Sequence, residues 1–362
     1  MEEPQHSSRQ PYLPSDEYRP EPVATPVPPA WTDGSIRIGI HTSIAGDITS
    51  SLEIANRLGA NALQIFSASP RMWSRGARGS KMAEASTQRF RERREELKLG
   101  PLVIHDNYLI NLGSCQPVLR VRSIQAFRDE IVRAIALGAD FLVAHPGCAC
   151  GAEVLAAIAL IADGLKQAAR ALNFGSLRIL LENTAGQGTS VGSRFSELKA
   201  ILDLCPALPL GICVDTAHLF AAGHDLRREE GLEGALAEIS ATVGLERVFV
   251  VHANDSKGAL GSHLDRHEHI GKGKIGRDAF RRILNHPLLA GRAFILETPI
   301  DRPGDDRRNV DALWRLVGLT PRSVPGARDG FAMRRDRMGR SRSGVLRAKR
   351  PQRKSRRRKG ER

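Results

Sequence analysis

Seven residues able to bind metal stand in a common register in this chain: His41, His105, His145, Glu182, Asp215, His252 and Glu297 each close a short apolar run. One polar residue at a strand end is ordinary turn chemistry. Seven imidazoles and carboxylates gathered on one rim would repel one another and lose solvation unless cations held them. The register therefore points to a metal cluster, with His218, Asp265 and His267 in adjoining segments as further ligand candidates. Mixed imidazole and carboxylate ligation favours zinc, and the same side-chain types accommodate manganese or iron.

The elements that must bring these residues together are βα units. Apolar runs of strand length at 36–41, 62–66, 102–105, 141–145, 178–182, 210–215, 248–252 and 293–297 alternate with amphipathic stretches such as 50–58, 83–97, 121–137, 153–172 and 231–243. Eight strands with crossovers close a parallel barrel, and such barrels build their sites at the C-terminal rim. The expected fold is α/β, a single (β/α)₈ TIM barrel over residues 34–320. A disordered Pro-rich leader is expected at 1–33 and a disordered Arg/Lys-rich tail at 321–362.

Composition narrows the function classes. Of 362 residues, 41% are hydrophobic and 26% charged, which describes a soluble globular chain without a membrane-spanning run. The polar leader, opening Met1-Glu2-Glu3, is the opposite of a secretion signal, so a cytoplasmic protein is expected, nucleoid-associated in a bacterium. Five unevenly placed cysteines argue for a reducing compartment. Cys148-Ala-Cys150 is too closely spaced for a C-x-x-C knuckle and has no second pair, so these read as free thiols. The net charge of +14 resides in the tail, where 17 Lys and Arg face 3 Asp and Glu, leaving 37 of each sign elsewhere. Such an arm contacts polyanions by neutralising phosphates and releasing counterions.

Longer motifs then carry a family resemblance over residues 36–315. They are Gly39-Ile-His-Thr-Ser-Ile-Ala-Gly46, His105-Asp-Asn-Tyr-Leu-Ile-Asn-Leu-Gly113, His145-Pro-Gly147, Glu182-Asn-Thr-Ala-Gly-Gln-Gly188, Cys213-Val-Asp-Thr-Ala-His218, Val251-His-Ala-Asn-Asp-Ser-Lys257, Asp265-Arg-His267 and Leu296-Glu-Thr298. In this order they resemble the endonuclease IV family of apurinic/apyrimidinic (AP) endonucleases, three-zinc barrels of base excision repair. The resemblance implies one zinc on His105, His145 and Glu182, and a second on Glu182, Asp215, His252 and Glu297. It implies a third on His218, Asp265 and His267, chosen over the flanking His263 and His269.

By the same resemblance, duplex DNA is cut 5′ to an abasic site, leaving a 3′-hydroxyl and a 5′-deoxyribose phosphate, with cleaning of blocked 3′ ends. Catalytic roles fall to Glu182, Glu297 and Tyr108, and DNA contacts to Arg71, Trp73, Tyr108 and Asn111. The segment Ala68-Ser-Pro-Arg-Met-Trp73 departs from the familiar Asn-Gln-Arg-Gln form, and Met72 and Trp73 read equally well as packing under a loop. A monomer is expected. A sugar isomerase or epimerase on a related barrel is the competing enzyme reading, and a non-catalytic DNA-binding scaffold is the competing class. The isomerase reading leaves the third ligand set without a role, and the scaffold reading would be favoured by loss of ligands, of which none is lost.

Overall fold

In a computed structural model that describes residues 35–73, 82 and 84–320, the apolar runs form the strands of a closed parallel barrel. The leader and basic tail lie outside the described residues. The barrel strands are β1 (Arg37–Thr42), β2 (Ala62–Phe66), β3 (Leu102–His105), β4 (Phe141–Ala144), β5 (Arg178–Glu182), β6 (Leu210–Asp215), β7 (Val248–His252) and β10 (Ala293–Leu296), in the order β1-β10-β7-β6-β5-β4-β3-β2. A two-residue ribbon, β8 (Asp255–Ser256) against β9 (His267–Glu268), stands in the connection after β7.

The crossovers are α1 (Ser50–Arg57), α2 (Glu84–Glu96), α3 (Pro117–Leu137), α4 (Val154–Ala169), α5 (Phe195–Leu204), α6 (Thr216–Ala222), α7 (Glu229–Thr242), α8 (Arg277–Asn285) and α9 (Asp305–Leu316). Helix α3 begins four residues earlier than its apolar periodicity predicts, because Pro117 is accommodated in the first turn, where its missing N–H costs nothing. It ends at Gly138, whose φ of 67° is left-handed and closes the cap. Among the described residues no helix is long and apolar enough to cross a membrane.

Two apolar layers result. Side chains such as Leu63, Ile104, Leu142 and Ile212 face the helices in the larger core. Val103, Val143, Leu180, Cys213, Val250 and Ile295 fill the barrel interior. Because side chains alternate along a strand, the residue two positions further on shares the interior face. That step leads from Val103 to His105, from Val143 to His145, from Leu180 to Glu182, from Cys213 to Asp215, from Val250 to His252 and from Ile295 to Glu297. The alternation that packs the interior thus also delivers the polar rim. Gly39 is required in this layer, since a Cβ there would overlap Ile295 and the Ala62 backbone.

Candidate metal centre

Three groups of ligand atoms lie within 4.8 Å of one another: His105, His145 and Glu182; Glu182, Asp215, His252 and Glu297; and Asp215, His218 and His267. His105, Glu182, Asp215 and His252 are the last residues of their strands, while His145 and Glu297 follow β4 and β10 by one position. His218 sits in the first turn of α6, whose N-cap Asp215 accepts its backbone N–H at 2.8 Å. His267 is carried by β9. Asp265 joins from the loop before it, its Oδ1 3.2 Å from His218 Nε2 and 3.5 Å from His267 Nε2. All nine residues named by the family resemblance therefore come together. His263 instead donates from Nδ1 to the Ala185 carbonyl, 2.9 Å away, and His269 lies beside Asp301, Asp305 and Asn309.

The donor atoms suit cations. Glu182 Oε2, His218 Nε2 and His267 Nε2 are buried without a hydrogen-bond partner among the described residues, an arrangement costly unless something else satisfies them. Each of these atoms faces the cluster. Glu182 is fully buried, with Oε2 at 3.4 and 3.3 Å from Nε2 of His105 and His145, and Oε1 3.0 Å from His252 Nδ1. Burial pushes the Glu182 carboxyl up, but the His252 and His145 imidazoles override it and hold it well below the usual carboxylate range. Burial likewise acts against protonation of His105, yet Glu182 and Glu297 raise it to about 10. Carboxylates this buried demand positive charge, which protonated imidazoles supply in the metal-free chain and a divalent ion would supply after displacing those protons.

Surrounding hydrogen bonds decide which ring nitrogen faces the centre. His218 Nδ1 is 2.9 Å from the Asn183 carbonyl, His105 Nδ1 is 3.0 Å from that of Asp106, and His267 Nδ1 is 3.3 Å from that of Glu297. Their Nε2 atoms are therefore the ones left free to bind a cation. His252 is reversed: Nε2 is 2.8 Å from Gln64 Oε1, and Nδ1 faces Glu182, Glu297 and Asp215. The Gln64 amide N–H groups are directed at Glu297 Oε1, 2.5 Å away, and His41 Nδ1, 3.0 Å away. Asn254 donates to Asp215 Oδ2 at 2.7 Å and to Glu297 Oε2 at 3.2 Å.

Neither Gln64 nor Asn254 follows from the strand ends, and His41, which does, stands beside the three groups without entering one. Replacing Gln64 with leucine keeps its bulk but frees His252 Nε2 and Glu297 Oε1. A 10- to 100-fold loss of metal affinity, of the order seen for such supporting partners, is the expected outcome in chelator competition; unchanged affinity would show Gln64 to be a packing residue.

Above the centre, Tyr108 is 64% exposed and its ring meets Phe66 edge-on, 5.3 Å between centroids. Arg71 and Met72 are exposed, whereas Trp73 packs partly against the core. Asn107 ties this segment to the His105 loop by donating to the carbonyls of Ser69 and Met72. Asn111 is buried, and its amide is engaged by Gly113, Cys148 and Cys150. An open cavity of about 230 Å³ beside the third group is lined by His145, Thr184, Gln187, His218, Asp265 and Arg266 among others.

The xylose isomerase-like TIM barrel family matches residues 52–316. A probable endonuclease 4 of Solibacter usitatus is 51% identical over 286 residues, covering 78% of this chain and 97% of the relative. One of Chloroflexus aurantiacus is 42% identical over 283 residues, covering 78% and 98%. The crystal structure of endonuclease IV from Thermus thermophilus superposes with a TM-score of 0.69 at 38% identity, over 78% of this chain and 99% of that one. A D-tagatose 3-epimerase-like protein, at 20% identity and a TM-score of 0.58, shares the fold.

Proposed function

The chain belongs to the endonuclease IV family of xylose isomerase-like TIM barrels, and on that basis we propose that it is a zinc-dependent AP endonuclease of base excision repair. It hydrolyses the phosphodiester 5′ to an abasic site in duplex DNA, leaving a 3′-hydroxyl and a 5′-deoxyribose phosphate, and clears blocked 3′ ends. The observation that carries this reading is the convergence of nine ligand side chains on one rim with buried donor atoms left unsatisfied. His105, His145 and Glu182 would hold one zinc, Glu182, Asp215, His252 and Glu297 a second, and His218, Asp265 and His267 a third. Zinc, when bound, supplies a strong oxygen nucleophile near neutral pH and cationic stabilisation of the phosphoryl oxygens.

The protein's own residues then orient and discriminate. Glu182 and Glu297 would hold the cations whose charge the phosphate meets. Tyr108, exposed directly above Phe66 and His105, meets the nucleotide there. Arg71 and Trp73 reach the duplex from the loop that Asn107 anchors, and Asn111 acts from the loop after His105, which its amide ties to the Cys148 backbone. A base-less nucleotide has lost its stacking and pairing, so drawing it into the rim costs less than extruding a paired one. The third ligand set favours this chemistry over a one- or two-ion sugar isomerase.

The test is a duplex carrying a single abasic analogue, with the Glu297→Gln variant beside the zinc-loaded protein. The protein is expected to cut once, 5′ to the analogue, and the variant to fold alike but lose on the order of 100-fold or more in kcat, the scale of removing one electrostatic element from a transition state. Equal turnover would refute the assignment of Glu297.

The tail at 321–362 lies outside the described residues; its 17 basic side chains support sequence-independent DNA binding by a cytoplasmic, monomeric enzyme. Removing the tail should weaken DNA binding and flatten its log–log salt dependence by about 0.9 for each phosphate the arm no longer neutralises. An identical slope with and without the tail would leave it no such role.

A further inference from the structure

Cys148 and Cys150, which the hydrolytic centre does not use, occupy the loop between β4 and α4, three and five residues beyond His145. Their sulfurs are 3.1 Å apart, inside van der Waals contact. The backbone brings this about: Cys150 has φ 50° and Gly151 φ 90°, a left-handed turn that folds the second sulfur back onto the first. Hydrogen bonds hold that turn from outside, from Ala149 N–H to the Thr189 carbonyl at 2.9 Å and from Cys150 N–H to Thr189 Oγ1 at 3.1 Å. The Asn111 side-chain amide donates to both sulfurs, at 3.0 and 3.3 Å, while its carbonyl accepts the Cys148 N–H at 3.0 Å. Cys150 is exposed and Cys148 half-buried, so small oxidants can reach them. Cys205 and Cys213 are buried, and Cys115 is exposed on a separate loop.

We propose that Cys148 and Cys150 form a reversible disulfide within this loop on exposure to low-molecular-weight disulfides, a modification site at the edge of the metal centre. The exposed Cys150 thiolate attacks one sulfur of the oxidant and expels the other as a thiolate, giving a mixed disulfide. Cys148 Sγ then attacks Cys150 Sγ and releases the second half. Two protein thiols lose two electrons, one small disulfide becomes two thiols, and the two protons pass to the departing thiolates. Burial, and then the neighbouring Cys150, push the Cys148 thiol up to about 11, which leaves the first attack to Cys150, and Cys148 follows because its sulfur is already 3.1 Å away. Asn111 links this pair to the 105–113 loop, so the modification lies in the loop that carries His145 and touches the one that carries His105.

Incubating the zinc-loaded full chain with graded mixtures of glutathione and its disulfide, followed by acid quench, alkylation and peptide mass measurement, tests this directly. The peptide holding both cysteines should appear unalkylated and lighter by two hydrogens, revert with excess glutathione, and leave Cys205 and Cys213 fully alkylatable. In Cys148→Ser the internal disulfide should be lost completely, with Cys150 arrested as its glutathione adduct. Wild-type Cys150 accumulating as that adduct, linking to Cys115, or staying alkylatable at every ratio would overturn the proposal.

Discussion

Glutamine at position 182 is expected to lower cleavage of an abasic duplex by at least about 10³-fold, the upper end for loss of one preorganised electrostatic element, and to exceed the effect of any other single ligand change. Glu182 belongs to two of the three ligand groups, and it is fully buried with one oxygen directed at His105 and His145 and the other at His252. Glutamine preserves the shape but replaces one acceptor oxygen with N–H donors and removes the charge, so neither group can be completed. His218 Nδ1 lies 3.3 Å from Glu182 Oε1, but its Nε2 faces Asp265 together with that of His267, so this set should retain its metal. Zinc content should therefore fall by about two equivalents of three while the far-ultraviolet spectrum is unchanged. Turnover at the wild-type level would exclude a bridging role.

Chelation of the metal should abolish cleavage and also lower the melting temperature. Each ion present at a thousandfold its dissociation constant contributes about 4 kcal/mol to the folded state. At about 2–4 °C per kcal/mol for a large domain, a fall on the order of 10 °C or more is expected, reversed by added zinc. The metal-free protein should also acquire a bell-shaped pH profile. His105 is raised to about 10 and His218 and His252 are raised too, so their contribution is complete below an unfolded value near 6.5 and is lost as pH rises toward 10. Glu182 and Glu297 are lowered, so theirs is present above about 4.5 and lost in acid. The chelated chain should be most stable between those limits, whereas zinc affinity should climb with pH as imidazolium protons are displaced. Scanning calorimetry of the chelated chain from about pH 3 to about pH 10 follows both limbs, and chelator competition across the same range follows the zinc affinity.

Strand register made most of this architecture readable from the chain itself. Apolar runs ending in a metal-capable residue located the barrel strands to within a residue, because the side chain two positions before each ligand had to be apolar to fill the interior. Gln64 is hidden in the sequence for a physical reason. Its strand ends at Phe66, and only the stagger between neighbours, which pairs Gln64 with His41 and Phe66 with His105, lifts it into the ligand layer. Stagger is a property of the closed sheet and leaves no mark on one strand. Asn254 lies in the turn after β7, held by the Thr216 hydroxyl, which donates to its carbonyl and accepts its N–H, a contact with no trace in local sequence. Asn111, grouped by its motif with DNA contacts, lies under the surface because Gly113 and Cys148 compete for its amide. Asp215 approaches His267 as well as the second ligand set, its Oδ2 3.6 Å from His267 Nε2, a closeness that spacing in the chain could not reveal.

The metal content of the purified, desalted protein, counted per chain by inductively coupled plasma analysis, bears most directly on the nine-residue cluster. About three zinc equivalents are predicted, dropping to about two in His267→Ala. One equivalent or fewer, or a content indifferent to His267, would contradict a centre built from all nine side chains.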